Sequence, residues 1–232
     1  VNVEKITNIP GMYFKLCLGR GFSDTTGSYS SNVAGGFNPA YVNDQYNPNM
    51  DLAGLLAQLY NDGQYKVMAN YFQAWNMMGA SMEYIPGGYV NSNPANQVYT
   101  PGMNGFVDVG DMTGGALSVQ VDGIGDGISD FLDDTTAFAS FAWSTTDPNT
   151  NTYGTISSAG VPGTASGMLG SHDKKTGTSI YVGVQMPGFF DNDRIGLEYN
   201  HGSKYWRSFT YGEDTLVGSK LSARGSAYEI YY

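Results

Sequence analysis

The chain has 232 residues, a formal net charge of −10 and only 14% charged residues, against roughly 25% in soluble domains. The acidic balance excludes nucleic acid as a partner, because neutralising phosphates takes Lys and Arg. The single cysteine, Cys17, excludes an internal disulfide and any cysteine-built zinc or iron–sulfur site. With 32 glycines, 18 tyrosines and no run of 18 apolar residues, the composition suits a turn-rich β protein and no transmembrane helix.

The first periodic stretch, GMYFKLCLGRGF (Gly11–Phe22), predicts a strand. Met12, Phe14, Leu16 and Leu18 share one face, and Tyr13, Lys15 and Cys17 the other. The Ser-, Asn-, Gly- and Pro-rich stretch behind it predicts a loop too long for a compact soluble domain but normal outside a membrane barrel. NMDLAGLLAQLYNDG (Asn49–Gly63) reads as a helix. Asn49 or Asp51 can cap it, Leu52, Leu55, Leu56 and Leu59 line one side, and Asn61-Asp62-Gly63 stops it. Further on, the pattern predicts an aromatic-rich strand over Gln64–Gly79 and a loop from Pro86 to Asn104. Strands are expected over Gly114–Gly123 and Thr135–Asn149, and a polar loop over Thr150–Thr176.

VDGIGDGISDFLDD (Val121–Asp134) is a candidate calcium loop. With Asp122 at position 1, Asp126, Asp130 and Asp133 fall at positions 5, 9 and 12, and Gly127 at position 6. Closely spaced carboxylates offer the oxygen ligands a hard cation needs. Against it, Ile124 holds position 3, position 12 lacks a Glu and no helix precedes the loop. The competing reading is an acidic turn leading into a short capped helix. No other cofactor is expected.

The final part is the most regular. TSIYVGVQMP alternates Ile180, Val182, Val184 and Met186 against Ser179, Tyr181, Gly183 and Gln185; GFFDND turns the chain and RIGLEYNHG runs back. SKYWRSFTYG and GSKLSARGSAYEIYY are expected as further strands. Aliphatic residues opposed by Arg, Glu, Lys and Ser fit two structures alike. One is a barrel wall with a polar lumen, the other an antiparallel sandwich with one wetted face.

GLEYNHGSKYWRSFT and KLSARGSAYEIYY, together with TGTSIYVGVQMP and DDTTAFASFAWSTTDP, resemble a family of uncharacterised bacterial outer-membrane proteins, described as porin-like barrels and catalogued as a domain of unknown function. The resemblance is strongest over residues 130–232. It implies an all-β, antiparallel transmembrane β-barrel, whole or partial, forming one domain over residues 1–232 with long polar loops and one or two short helices. Members of that family are longer, and this chain begins with Val1, as expected of a processed or partial chain. The alternating, aromatic ending Tyr228, Ile230, Tyr232 instead suits a true barrel terminus.

Given such a barrel, Arg194, Glu198, Lys220 and Arg224 are expected in the lumen, where opposed charges select solutes. Tyr205, Trp206, Tyr228 and Tyr232 are expected in an aromatic girdle at the lipid–water boundary. The implied function is a channel for small solutes in the bacterial outer membrane. Its partners are lipid and solute, with further copies of the chain or a surface partner reached through the long loops. No enzyme is expected: His201 beside Glu198 and Ser203 lacks a GxSxG turn. The alternative is a secreted or surface β-structured module that binds carbohydrate, protein or calcium.

Overall fold

The period-two patterning of TSIYVGVQMP and RIGLEYNHG becomes strand, because successive side chains on an extended chain point to opposite sides. The computed structural model describes residues 1–21, 49–89, 97–125, 127–149, 169, 171–190, 193–209 and 219–232, of which 79–89 and 97–107 by their backbone only. The strands are β1 (Tyr13–Gly21), β2 (Met50–Asn61), β3 (Tyr65–Trp75), β4 (Met78–Tyr89), β5 (Gln97–Asp108), β6 (Gly110–Asp122), β7 (Thr136–Pro148), β8 (Lys175–Pro187), β9 (Arg194–Gly202) and β10 (Gly225–Tyr231). Two four-residue helices accompany them, α1 (Glu4–Thr7) and α2 (Asp130–Asp133), with a 3-10 turn over Lys220–Ser222. No described helix is long and apolar enough to cross a membrane.

Eight strands form one antiparallel sheet in the order β1-β2-β3-β6-β7-β8-β9-β10, and β4 and β5 pair separately as a hairpin inserted between β3 and β6. The sheet is not closed into a barrel: among the described residues β1 pairs with β2 and, at Tyr13, with Asn2, and β10 pairs with β9. Closure takes a hydrogen-bonded seam between first and last strands, and none joins these two among the described residues.

Three expectations are corrected. Asn49–Gly63 is not a helix but strand β2 and its turn. Leu52 and Leu56 lie on one face and Leu55 on the other, as their partners in β1 and β3 show. Apolar residues on both faces erase the period-two signal and leave leucine spacings that mimic a helix. Asn61-Asp62-Gly63 does stop the element, but as a hairpin turn with Gly63 at φ +99. Second, Pro86–Asn104 is mostly strand, with Pro86 beside a register shift between Pro86 and Tyr89, where a bulge tolerates proline. Third, Ser203–Phe209 leaves the sheet after β9 instead of forming a strand. The loop expected behind Phe22, most of the 150–176 loop and residues 210–218 lie outside the described residues.

Paired residues share a face, so the register sorts every side chain. One face, called outer here, carries Leu16, Leu55, Leu117, Val119, Phe141, Ile180, Val182 and Leu197. Most of these are exposed, and Leu18 reaches 75%. Among the described residues no second layer covers them. The opposite, inner face holds the buried polar side chains Ser144, Ser179 and Asn200. Buried hydrophobics are few, and the small cluster of Val109 and Leu169 with Met77 sits at the end of the sheet next to the β4–β5 hairpin.

The outer apolar band runs obliquely across the hydrogen-bonding rows. Leu16, centred in the β1 band, lies in the row that passes through Leu55, Tyr71 and Trp143 to Thr178 of β8. Leu197, centred in the β9 band, lies opposite Val184, six residues beyond Thr178. Six residues along a strand span roughly 20 Å and six strand-to-strand steps roughly 29 Å, so the band drifts by about 35°.

Candidate functional site

The inner face is built to receive another piece of chain. Gly177 and Gly202 lie on it, and the backbone and ring of Trp206 rest directly upon them. A Cβ on Gly177 would meet the Trp206 nitrogen at 2.2 Å, and one on Gly202 would meet the Ala223 carbonyl at 2.1 Å. The connection from β9 to β10 therefore folds onto the sheet. Trp206 Nε1 donates to the Leu221 carbonyl at 2.7 Å, and Arg224 Nε donates to the Trp206 carbonyl at 3.0 Å. The Arg207 amide donates to Ser144 Oγ at 3.2 Å. Asn200, 1% exposed, accepts from Ser179 Oγ at 3.0 Å and donates to the Lys220 carbonyl at 2.8 Å. Each buried polar group in this set has its partner, as burial requires.

Beside this segment lies a charge cluster. Register places Glu229 directly opposite Glu198, a like-charge pair that would be destabilising alone. Lys220, carried in by the 3-10 turn, bridges the two, with its Nζ on Glu198 and 2.5 Å from Glu229 Oε2. Tyr181 OH donates to Glu198 at 2.5 Å and Tyr231 OH at 3.2 Å. The Lys220 ammonium also lies 5.5 Å from the centre of the Tyr181 ring.

Between the sheet and the Trp206–Phe209 stretch is a cavity of about 420 Å³. Leu52, Leu56, Phe72 and Leu221 line one part of it, and Ser179, Tyr181 and Asn200 another. Phe209 packs on Phe72 with ring centres 4.7 Å apart.

Of the expected lumen residues, Glu198 and Lys220 meet on the inner face. Arg224 joins the same region through Trp206 and not through a carboxylate. Arg194 stands apart at the start of β9, where its Nη1 donates to the Asp134 carbonyl behind α2. Tyr181, Tyr231 and Glu229 complete the cluster and were not among the four residues expected in the lumen. For Tyr181, its place in the same alternation as Ser179 was the available signal.

The expected girdle divides. Trp206 is 7% exposed and sits on the inner face, so it does not belong to an outer girdle. Tyr205 lies between the ammoniums of Lys175 and Lys204, 5.5 and 5.3 Å from its ring centre. Tyr228 is on the outer face, 80% exposed and packed 5.0 Å from Tyr199. Tyr232 donates from its hydroxyl to Asp193 at 2.6 Å. A row that sequence reasoning missed is more ordered. Tyr71 and Trp143 pair 6.3 Å apart on the outer face. The next row along is Gln73, Thr113, Thr145 and Thr176, and beyond it Asp111 faces Asp147.

The acidic loop behaves as a capped turn. Asp122 accepts from Gln120 and from Thr136 at 2.9 Å. Asp133 accepts from the Gly127 amide at 3.1 Å. Asp130 opens α2 behind the Ser129 cap. Asp126 lies outside the described residues, and among those described no three His, Cys, Asp or Glu side chains are grouped to hold a metal.

A family model described as a protein of unknown function, DUF3373, matches residues 1–232, the whole length of the chain. The chain belongs to this family. No curated protein and no solved structure matches it.

Proposed function

We propose that the chain forms the wall of a porin-like β-barrel in the bacterial outer membrane, and that small solutes pass along its inner face. The oblique outer band carries this reading. Aliphatic side chains left in water cost about 25 cal/mol per Å², so a broad exposed belt calls for an apolar surround. Its drift of about 35° matches the tilt of membrane-barrel strands, roughly 35–45°. Strands of 9 to 13 residues over β1 to β9 suit the bilayer. The margin also fits, since aromatic Tyr71 and Trp143 precede threonines and then carboxylates. Unpaired backbone groups in lipid cost several kcal/mol each, so in this reading the free edges of β1 and β10 pair with each other or with further strands. The role is transport, with no bond chemistry assigned.

The native Cys17 tests the orientation, because it lies on the inner face between outer Leu16 and Leu18. In outer-membrane vesicles, Cys17 should react with a charged, membrane-impermeant thiol reagent. Leu16→Cys and Leu18→Cys, each placed in a Cys17→Ser background, should stay unlabelled until lipid is removed. The reverse pattern would overturn the proposal. Extraction of the intact protein into plain buffer would favour the surface binding module instead.

A further inference from the structure

We infer that the cavity beneath Trp206 and Phe209 takes a neutral, largely apolar molecule of about the size of a bicyclic aromatic, one with a single hydrogen-bonding group. The inference rests on the reading that the inner face is the solute path, and it names the class of solute.

A lumen filled only with water would be polar all round. The inner face here is not. Toward β8–β10 it presents Tyr181, Gln185, Glu198, Glu229 and Tyr231. Toward β2 and β3 it presents Leu52, Leu56, Met68 and Phe72. Leucines thus occupy both faces of β2. Those facing outward are explained by lipid, and those facing inward are not.

The cavity gives the inward leucines a purpose. Its volume of about 420 Å³ falls within the usual range for small-molecule sites, which are mostly apolar with a few polar groups to fix orientation. Aromatic rings of Trp206, Phe209 and Phe72 wall it. Two polar side chains in its lining, Asn70 and Ser140, have no hydrogen-bond partner among the described residues and can each meet one polar group of a ligand. Among the described residues the lining contains no carboxylate, so a cation finds no counter-charge there, and its guanidinium, Arg207, already has a partner of its own. The Glu198–Lys220–Glu229 cluster lies outside the lining, and its charges are already spent on one another.

The test uses the whole chain in lipid nanodiscs and 1-naphthol as the probe. Binding is followed by calorimetry against empty nanodiscs. Saturable binding is expected, weakened by about tenfold or more in Ala142→Phe, which fills the cavity, and unchanged in Ala139→Phe on the outer face. Should Ala142→Phe fail to insert, Leu56→Phe is expected to give the same loss. Glucose and 1-naphthalenesulfonate should bind about tenfold more weakly or worse. Naphthol uptake no greater than in empty discs, uptake indifferent to the filling variants, or equal affinity for the sugar or the sulfonate would each overturn the inference. Cys17 labelling on the same nanodiscs reports orientation separately. Lost naphthol binding with Cys17 still reactive overturns the ligand assignment alone, whereas unreactive Cys17 overturns the membrane reading.

Discussion

The two ends of the eight-stranded sheet solve the same problem differently. From β8 to β10, each strand separates an aliphatic outer face from a hydrogen-bonded inner one, with Val182 and Leu197 outside and Tyr181 and Glu198 inside. At β2, leucine stands on both sides. The outer faces agree in carrying aliphatic side chains, whereas the inner faces differ because they meet a charge cluster at one end and a cavity wall at the other. Outer chemistry is therefore uniform around the sheet, while inner chemistry is local.

The largest effect should come from breaking the uniform side. Arginine at Leu55 in β2 or at Val182 in β8 is expected to cost roughly 2–4 kcal/mol each, the price of a cation near the middle of an apolar belt in lipid. Urea unfolding from lipid vesicles measures both. Similar costs at the two ends would sharpen the comparison, and a negligible cost at either would remove that end from the belt.

A smaller loss is expected at the polar end. Lys220→Met leaves Glu198, whose side chain is 8% exposed, without its cation. Tyr181 and Tyr231 still donate to it, so the cost is set at about 2 kcal/mol, below the usual 3–5 for a broken buried pair. Adding Glu198→Gln should recover much of the loss in the same unfolding assay. No recovery would mean that the lysine acts by packing and not by charge.

The smallest effect concerns the turn after β2, the polar anchor of the apolar end. The Asp62 carboxylate accepts from the Tyr65 amide at 2.7 Å, from the Tyr60 hydroxyl at 2.8 Å and from the Gln64 amide at 3.0 Å. These bonds, the Tyr65 amide first, hold its pKa below the ordinary carboxylate value. A depressed native pKa stabilises the fold above the unfolded value, near 3.9, and that contribution fades as pH falls through the native value. Asp62→Asn should flatten the stability profile slightly in this acid window, and an unchanged profile would show that the turn is held by its backbone alone.

How legible each part was follows from how much of its environment is local. β7 and β8 were readable because each of their faces meets one kind of neighbour. β2 was not, since the cavity and the outer belt both select leucine and the resulting spacing of Leu52, Leu55 and Leu56 imitates a helix. Glu198 and Lys220 were both singled out by their charge, but their pairing joins positions 22 residues apart. Trp206 was misplaced because an aromatic residue near a strand end looks the same whether it faces lipid or folds inward. Only the bare backbone at Gly177 and Gly202 sends it in.

By itself the sequence determined that the chain is β-structured and which residues of most strands share a face, because alternation is a property of the extended backbone. Tertiary structure alone decided the order of the strands, the absence of a seam between β1 and β10 among the described residues, the descent of Trp206 onto the inner face and the meeting of Lys220 with two glutamates. Those outcomes depend on register and on close approach between segments distant in the chain, and no local pattern encodes either.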